Sequence, residues 1–535
     1  MGEVQGGAGA RGAAGGGAPG VGRIRAPGYP SALAGIHAVL GKHALAVPIL
    51  HACLSAIMMY WVYRLAWLLA GQRYAYLAAA IQASSLGLKT VVIDEQREPG
   101  GQIYRAIETV SRDRPGDLDL LGEDYARGAP LAAKFRLAGC DYRCDITVWQ
   151  VDPDGRVHGS DGKTTSSQKG RHVLVATGAM ERPFPIPGWT LPGVMTVGGA
   201  QTLLKSSAVV PQGPTVIAGN GPLPVLVAAQ LTAAGVEISA FVETTGMADY
   251  WRAIAALPRA LRAFEYLGKG MAWRRRVRRA GTAFIGGAEG FEILGENQAE
   301  ALRCRVGGQE KTFPAQTILL HCGVIPNTQI TRQIGCRHDW DEQLRYWRPR
   351  VDDWGASSVD AIYVAGDSAG ISDARVAEAA GHLAVLDIAH RAGRIALRER
   401  DDGARAWRQV IAHHLAVRPL LDRLYPPPAE ITSPSGDETI VCRCEEVTVS
   451  DIRAAVALGC LGPSQLKSFT RCGMGPCQGR LCATTVGELM ATLRGVSVSE
   501  IGYARVRPPI KPLTLGELAS GARRDGDSSG LAKMQ

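Results

Sequence analysis

The chain has 535 residues, 46% hydrophobic and 20% charged, with 65 glycines and a formal net charge of +9. That composition excludes fibrous and wholly disordered classes, and the length allows two or three domains, each with its own core. Twelve cysteines, half of them between Cys442 and Cys482, do not suggest a secreted disulfide framework in so large a chain; they point to a metal site in a reducing, cytoplasmic setting.

In chain order, the first 28 residues are low-complexity Gly, Ala and Arg text that cannot pack a core. Residues 44–63, ALAVPILHACLSAIMMYWVY, carry no formal charge and are long enough to span a membrane, though Pro48 and His51 interrupt them. Three readings stand: a membrane helix, which is not favoured, a buried helix, or text outside the natural reading frame. No signal peptide is expected, because a long Gly/Ala/Arg stretch precedes the run and no small-residue cleavage site clearly follows.

From Gly71 to Glu95 the chain reads GQRYAYLAAAIQASSLGLKTVVIDE, and from Gly219 to Glu243 it reads GNGPLPVLVAAQLTAAGVEISAFVE. Each stretch starts at a glycine and reaches an acid 24 positions later, through an alanine-rich helical middle, a glycine turn (Gly87, Gly235) and a short apolar strand. That is the β-α-β unit of a dinucleotide fold, with the helix N-terminus under a pyrophosphate and the acid on the ribose hydroxyls. The second copy keeps Gly219, Gly221 and Glu243, with Pro224 at its third glycine position. The first keeps only Gly71, because Arg73 and Tyr76 stand at the second and third positions.

Bulk at those positions enters the space where backbone should approach the pyrophosphate, and a positive φ there would add a strain of about 1–3 kcal/mol. Arg73 offers a phosphate its charge in the generous reading. The abrupt change near Leu77, after which the chain obeys the fold, favours a shifted reading frame or misplaced start before it, and with it a weakened cofactor site.

Three later stretches fit the same architecture. HVLVATGAMERP (172–183) is an apolar strand running into Thr177 and Gly178, and TILLHCGVIPN (317–327) repeats the pattern as a return strand for the second unit. DAIYVAGDSAG (360–370) puts Gly366 and Asp367 after a buried strand and just before ARVAEAAGHLAVLDIAHRAG, apolar at helical spacing. The run WRRRVRR (273–279) reads as a cationic last helical turn ending at Gly281, so no nucleic-acid partner is expected.

A Pro/Ser-rich linker at 425–438 separates a compact C-terminal module. Its candidate ligands are Cys442 and Cys444, one residue apart, then after 32 residues Cys477 and Cys482 with four between them. Thr448 and Asp451 form a capping-box signal for a helix ending near Gly459, and a second helix is expected from about Gly479 to Leu493. Loops at the ends of this pair would gather four thiolates, which suit a 2Fe-2S cluster or a structural zinc. Zinc knuckles usually have two to four residues between cysteines, so the C-x-C pair favours iron-sulfur. Cys460 reads as a core residue, and Cys472 as a spare thiol in the Gly-rich loop or one standing just outside the ligands. No Ser/His/Asp triad or paired carboxylates stand out, so no catalytic acid or base is assigned.

The two glycine-to-acid units and their return strands resemble the two-dinucleotide-domain flavoproteins, similar to glutathione and thioredoxin reductases, in which the first unit binds FAD and the second NAD(P). The resemblance implies that Glu95 binds the adenosine ribose, that Gly100 and Gly101 with the adjoining Gln102 let backbone approach the flavin phosphates, and that Asp367 bonds the ribityl chain. After Gly101 comes QIYRAIE, with no cysteine pair, so the redox disulfide of the disulfide reductases is not expected.

The late cysteine pattern resembles the bacterioferritin-associated-ferredoxin-like 2Fe-2S domain. With TRCGMGPCQGRLC (470–482), the chain from 77 to 518 resembles the A-type subunits of opine oxidases, the B-type subunits of hydrogen cyanide synthase, and the α subunits of dye-linked proline and hydroxyproline dehydrogenases. The implied fold is α/β, with two Rossmann-like dinucleotide-binding domains and a small helical C-terminal 2Fe-2S domain. The expected ranges are an N-terminal segment of 1–63, an FAD-binding domain of 64–205 and 315–425, an NAD(P)-type domain of 206–314, the cluster domain of 439–496, and a tail of 497–535.

The resemblance also implies a heteromer in which a catalytic flavoprotein partner oxidises the C–N bond of an amino acid or opine, with room for a small ferredoxin-like subunit. This chain would then handle electrons, since a flavin accepts two as hydride and releases them singly, whereas a 2Fe-2S cluster takes one at a time. Two other readings stay open: an NAD(P)H-dependent electron donor using Gly219, Gly221 and Glu243, and a non-catalytic subunit with a decayed flavin site.

Overall fold

The computed structural model describes residues 75–526, with side chains to 521. The apolar run at 44–63, Gly71 and Arg73 lie outside the described residues. Among the described residues no helix is long and apolar enough to cross a membrane.

The first unit begins with the helix Ala75–Ser85, whose alanines bury one face, and turns at Gly87 with φ 70° into the strand Val91–Ile93. That strand pairs in parallel with Asp141–Arg143, and the return strand Val173–Val175 pairs in parallel with Ile362–Val364. The long helix Ala374–Arg391 then packs on the first helix. Small residues make that contact: a Cβ on Gly381 would stand 2.2 Å from the Ala75 carbonyl oxygen. Only glycine fits so close a helix crossing.

The second unit is a five-stranded parallel sheet in the order Ala283–Ile285, Ile238–Glu243, Thr215–Asn220, Thr317–Cys322, Val194–Thr196. Two of the three interior strands, Thr215–Asn220 and Thr317–Cys322, are buried at every residue, as near-continuous apolar runs in a parallel sheet must be. At Gly219, φ is 132° and a Cβ would sit 1.6 Å from the His321 carbonyl oxygen, so the strand-to-helix turn admits only glycine.

Thr317–Cys322 joins this sheet beside Thr215–Asn220, as the return strand of the second unit, and Val194–Thr196 pairs with it at the sheet edge. The basic helix Phe264–Arg279 ends before Gly281 at φ 96°, with three arginines in its last turn.

The C-terminal module is helical, with Val449–Ala457, Pro463–Thr470 and Ala483–Arg494 around a core of Ile452, Leu466, Val486 and Met490. The Thr448 and Asp451 capping box forms as expected, with the Thr448 N–H donating to Asp451 at 2.9 Å. The third of these helices starts later than expected, at Ala483, because Gly479 at φ 76° keeps the preceding loop open.

Residues 425–438 are not a free linker. Ala429–Thr432 is a short helix, and Ile431 is fully buried in the core of the second unit. An apolar side chain between the prolines and the serines gives the segment an anchor.

Candidate functional site

A cavity of about 2040 Å³ is lined by Glu95, Gly100, Gly101, Gln102, Thr177, Gly178, Gly366 and Asp367, and also by Gly221, His321, Arg480 and Leu481. The described residues expected for a flavin dinucleotide therefore share one space.

The Gly-Gly turn is built for glycine: Gly100 has φ 142°, Gly101 has φ 57°, and a Cβ on Gly100 would meet the Tyr104 carbonyl oxygen at 2.4 Å. The Gly100 N–H, however, donates to the Tyr76 hydroxyl, which itself donates to Asp94 at 3.2 Å. Burial, followed by the Asp94 charge, drives the Tyr76 phenol well above its ordinary range, so it stays protonated. The side chain at the third glycine position thus takes up an N–H of the turn expected to approach a phosphate.

Gln102 lines the cavity, and its carbonyl accepts from the buried Lys205 ammonium at 3.2 Å. Burial, with the Arg105 charge, pushes Lys205 down to about 7. Glu95 is half-exposed, with Lys511 Nζ 2.8 Å from each of its oxygens. That lysine comes from the C-terminal tail, held in place by the Ile510 N–H donating to the Trp149 carbonyl at 2.9 Å. No sequence signal links positions so far apart.

Asp367 sits in a short turn after the strand Ile362–Val364 and accepts from the Ser372 N–H at 3.1 Å. Burial, with Asp373 nearby, pushes its carboxyl up to about 6. Gly178 at φ 67° follows Thr177, whose hydroxyl donates to the Asn327 carbonyl at 3.2 Å.

The second unit keeps the fold of a nicotinamide site without its open acid. Glu243 is 4% exposed and forms a bidentate pair with Arg274, one contact at 2.8 Å. Asn220 donates to the Pro426 carbonyl at 3.0 Å, so the 425–438 segment also lies against this turn. Gly221 lines the cavity, but Gly219 and Glu243 do not. A ribose reaching for Glu243 would meet Arg274 there.

Two cavity residues, Glu181 and His321, lie in the strand motifs 172–183 and 317–327 but were given no role by the sequence. His321 Nδ1 lies 2.6 Å from Glu181 Oε1, and the other Glu181 oxygen accepts from the Gly198 N–H at 2.9 Å. Burial raises the Glu181 carboxyl, but the His321 and Gly198 contacts outweigh it and hold the group below the usual range.

The cysteines fall into two groups. Cys442, Cys472 and Cys482 are buried with their sulfurs within 4.8 Å of one another. Cys444 and Cys477 stand near each other, and burial with the neighbouring Cys477 thiol pushes the Cys444 thiol up. A Cβ on Gly475 would lie 2.3 Å from the Cys444 Cβ, which explains the glycine in this loop. Cys472 thus stands beside two of the expected ligands, and it precedes Cys477 by the same interval that separates Cys477 from Cys482. Cys460 is buried in the module core, as expected. Gln329 Nε2 donates to the Gln478 carbonyl at 2.9 Å, tying the loop to the cavity wall.

The pyridine nucleotide-disulphide oxidoreductase family matches residues 71–381, and the sarcosine oxidase A3 domain matches residues 437–522. The A-type subunit of opine oxidase from Agrobacterium tumefaciens (strain Ach5) is 41% identical over 84% of this chain and 91% of its own length. The HcnB subunit of hydrogen cyanide synthase from Pseudomonas aeruginosa is 31% identical over 82% of this chain and 95% of its own. The crystal structure of L-proline dehydrogenase from P. horikoshii shares the fold, with a TM-score of 0.61 and 17% identity over 84% of this chain and 78% of that one. With its glycine turns, return strands and shared cavity, this chain belongs to the FAD-dependent pyridine nucleotide-disulphide oxidoreductase family, alongside HcnB and the A-type subunits of opine oxidases.

Proposed function

We propose that this chain is the electron-transfer subunit of a heteromeric amino-acid or opine dehydrogenase, holding FAD in the large cavity and a 2Fe-2S cluster in the C-terminal module. A partner subunit oxidises the C–N bond of the substrate. The observation that carries this reading is that Arg480 and Leu481, between Cys477 and Cys482, line the same cavity as Gly101 and Asp367. The thiolate loop and the dinucleotide turn face one space, which is what a relay between two carriers needs.

The residues divide the work of holding a flavin. Glu95 takes the adenosine ribose with Lys511 beside it, the Gly100 and Gly101 turn approaches the phosphates, Thr177 and Gly178 line the cavity between, and Asp367 takes the ribityl hydroxyls. A flavin supplies two-electron acceptance with one-electron release, which matches an iron-sulfur cluster downstream. Cys442, Cys444, Cys477 and Cys482 provide the four thiolates such a cluster uses. The module, 439–496, is the cluster domain, and the setting is cytoplasmic because these thiols must stay reduced. The names of the relatives, subunits of an opine oxidase and of hydrogen cyanide synthase, support a heteromer.

Anaerobic purification with its partner subunits, followed by flavin, iron and acid-labile sulfide analysis, tests the reading. One flavin and two irons per chain, to within about a third, is the expected result. Stoichiometric zinc, with no visible-region chromophore after reconstitution with iron and sulfide, overturns it. The Tyr76 hydroxyl on the Gly100 N–H favours a second reading, a subunit with a decayed flavin site, which cluster absorbance without flavin absorbance would select.

A further inference from the structure

Five thiols converge where a 2Fe-2S cluster needs four. Two thiolates on one tetrahedral iron, each about 2.3 Å from the metal, stand about 3.8 Å apart, and each iron of such a cluster is held by two of them. Cys444, packed against Gly475 in the loop that carries Cys477, would form one such pair with it. Cys442 and Cys482 would be the other. Cys472 lies within 4.8 Å of both members of that second pair and is equally buried.

The backbone accounts for the crowding. Cys472 and Cys482 stand at the two ends of a loop that contains Gly473, Gly475 and Gly479 and that brings their sulfurs within 4.8 Å, and a Cβ on Gly473 would lie 3.9 Å from Cys482 Sγ. Among the described residues, no third thiol approaches the Cys444 and Cys477 pair in the same way.

We infer that Cys472 is a fifth ligand of this site, exchangeable with Cys482 at the iron that Cys442 holds. The inference rests on the iron-sulfur reading above. The exchange changes no oxidation state: the Cys472 thiol gives its proton to solvent and forms an iron-sulfur bond, while the Cys482–iron bond breaks and that sulfur takes up a proton. The consequence is an asymmetric site. One iron tolerates the loss of a ligand, and the other does not.

The test uses the full chain purified anaerobically with its partners, and reads iron, acid-labile sulfide and the EPR spectrum of the dithionite-reduced protein. Wild type must first show the cluster; if it holds no iron and sulfide, the iron-sulfur reading itself fails and the ligand question does not arise. Given that cluster, C482S should keep at least about half of the wild-type iron, whereas C477S and the C472S/C482S double variant should fall to about a tenth or less. C482S should also show altered g values, because its iron has changed one ligand.

Equal iron in C482S and the double variant overturns the inference, as does loss in C482S as complete as in C477S while circular dichroism shows a folded chain. Should C482S not fold, C472S decides: a shifted EPR spectrum with iron retained supports a thiol at the cluster edge, and a spectrum superimposable on wild type overturns it.

Discussion

Tyr76 shows how one side chain can preserve a turn and occupy its ligand position. Its ring packs edge-on against Phe135 at 6.5 Å, and its hydroxyl satisfies the Gly100 N–H that a phosphate would otherwise use. Y76F should free that N–H while keeping the ring, and Y76G should free the space as well, at a cost of about 3 kcal/mol for the lost packing. The expected order of FAD affinity is Y76G above Y76F above wild type, each step several-fold, read by fluorescence titration of the deflavinated protein. Equal affinity in all three would place the defect elsewhere. Asp367 gives a second residue-scale prediction. Its folded-state carboxyl is raised to about 6 from an ordinary value of 3.8, so the folded protein holds this proton more tightly than the unfolded chain. Its contribution is fully present below the unfolded value and is lost as pH rises through about 6, at most about 3 kcal/mol. In flavin-free protein, D367N should be more stable than wild type at pH 7 and nearly equal to it at pH 4, measured by urea unfolding at both. The same difference at both pH values would refute the assignment to this group.

The helix Phe264–Arg279 shows what an element does beyond its sequence pattern. Its cationic last turn is legible from arginine spacing, but Arg274, one of that run, leaves the solvated face and closes on buried Glu243. R274A would leave an uncompensated carboxylate, which costs about 3–5 kcal/mol, whereas E243Q/R274M, with no charge left, should recover most of it. Urea unfolding of the three chains checks this; a loss under about 1 kcal/mol in R274A would mean that water reaches Glu243. The same contrast marks how far sequence reading goes. Glycine-to-acid spacing identified both dinucleotide units, and apolar runs identified the return strands, because a parallel sheet imposes those patterns locally. Spacing along the chain carries no record of Arg274 on Glu243, Lys511 on Glu95 or His321 on Glu181, since such pairs are made by packing. The three-residue strand Val194–Thr196 likewise takes its place from its neighbour, Thr317–Cys322.

For the molecule as a whole, the question is what holds the cysteine module against the cavity. Glu488 lies in the helix Ala483–Arg494, directly after Cys482, and is completely buried with Arg182 3.9 Å away and Arg345 in direct ion-pair contact. Arg182 adjoins Glu181 of the cavity wall and donates to the Leu344 and Arg345 carbonyls at 2.6 and 2.9 Å. Burial lowers the Arg182 guanidinium from its ordinary range, so the acid is what makes a buried arginine tolerable there. One carboxylate thus links the helix that starts at the thiolates to the strand that borders the dinucleotide space. E488A strands two arginines and should cost about 3–5 kcal/mol, whereas E488Q keeps a hydrogen-bond acceptor and should cost less. Because the network crosses between module and cavity wall, the loss should appear as separation of the two: limited proteolysis of E488A should cut between 433 and 438, where wild type resists, and release a C-terminal fragment. If E488A unfolds in a single transition without that fragment, the apolar contacts of Trp347 and Tyr503 hold the module, and the buried ion network only orients it.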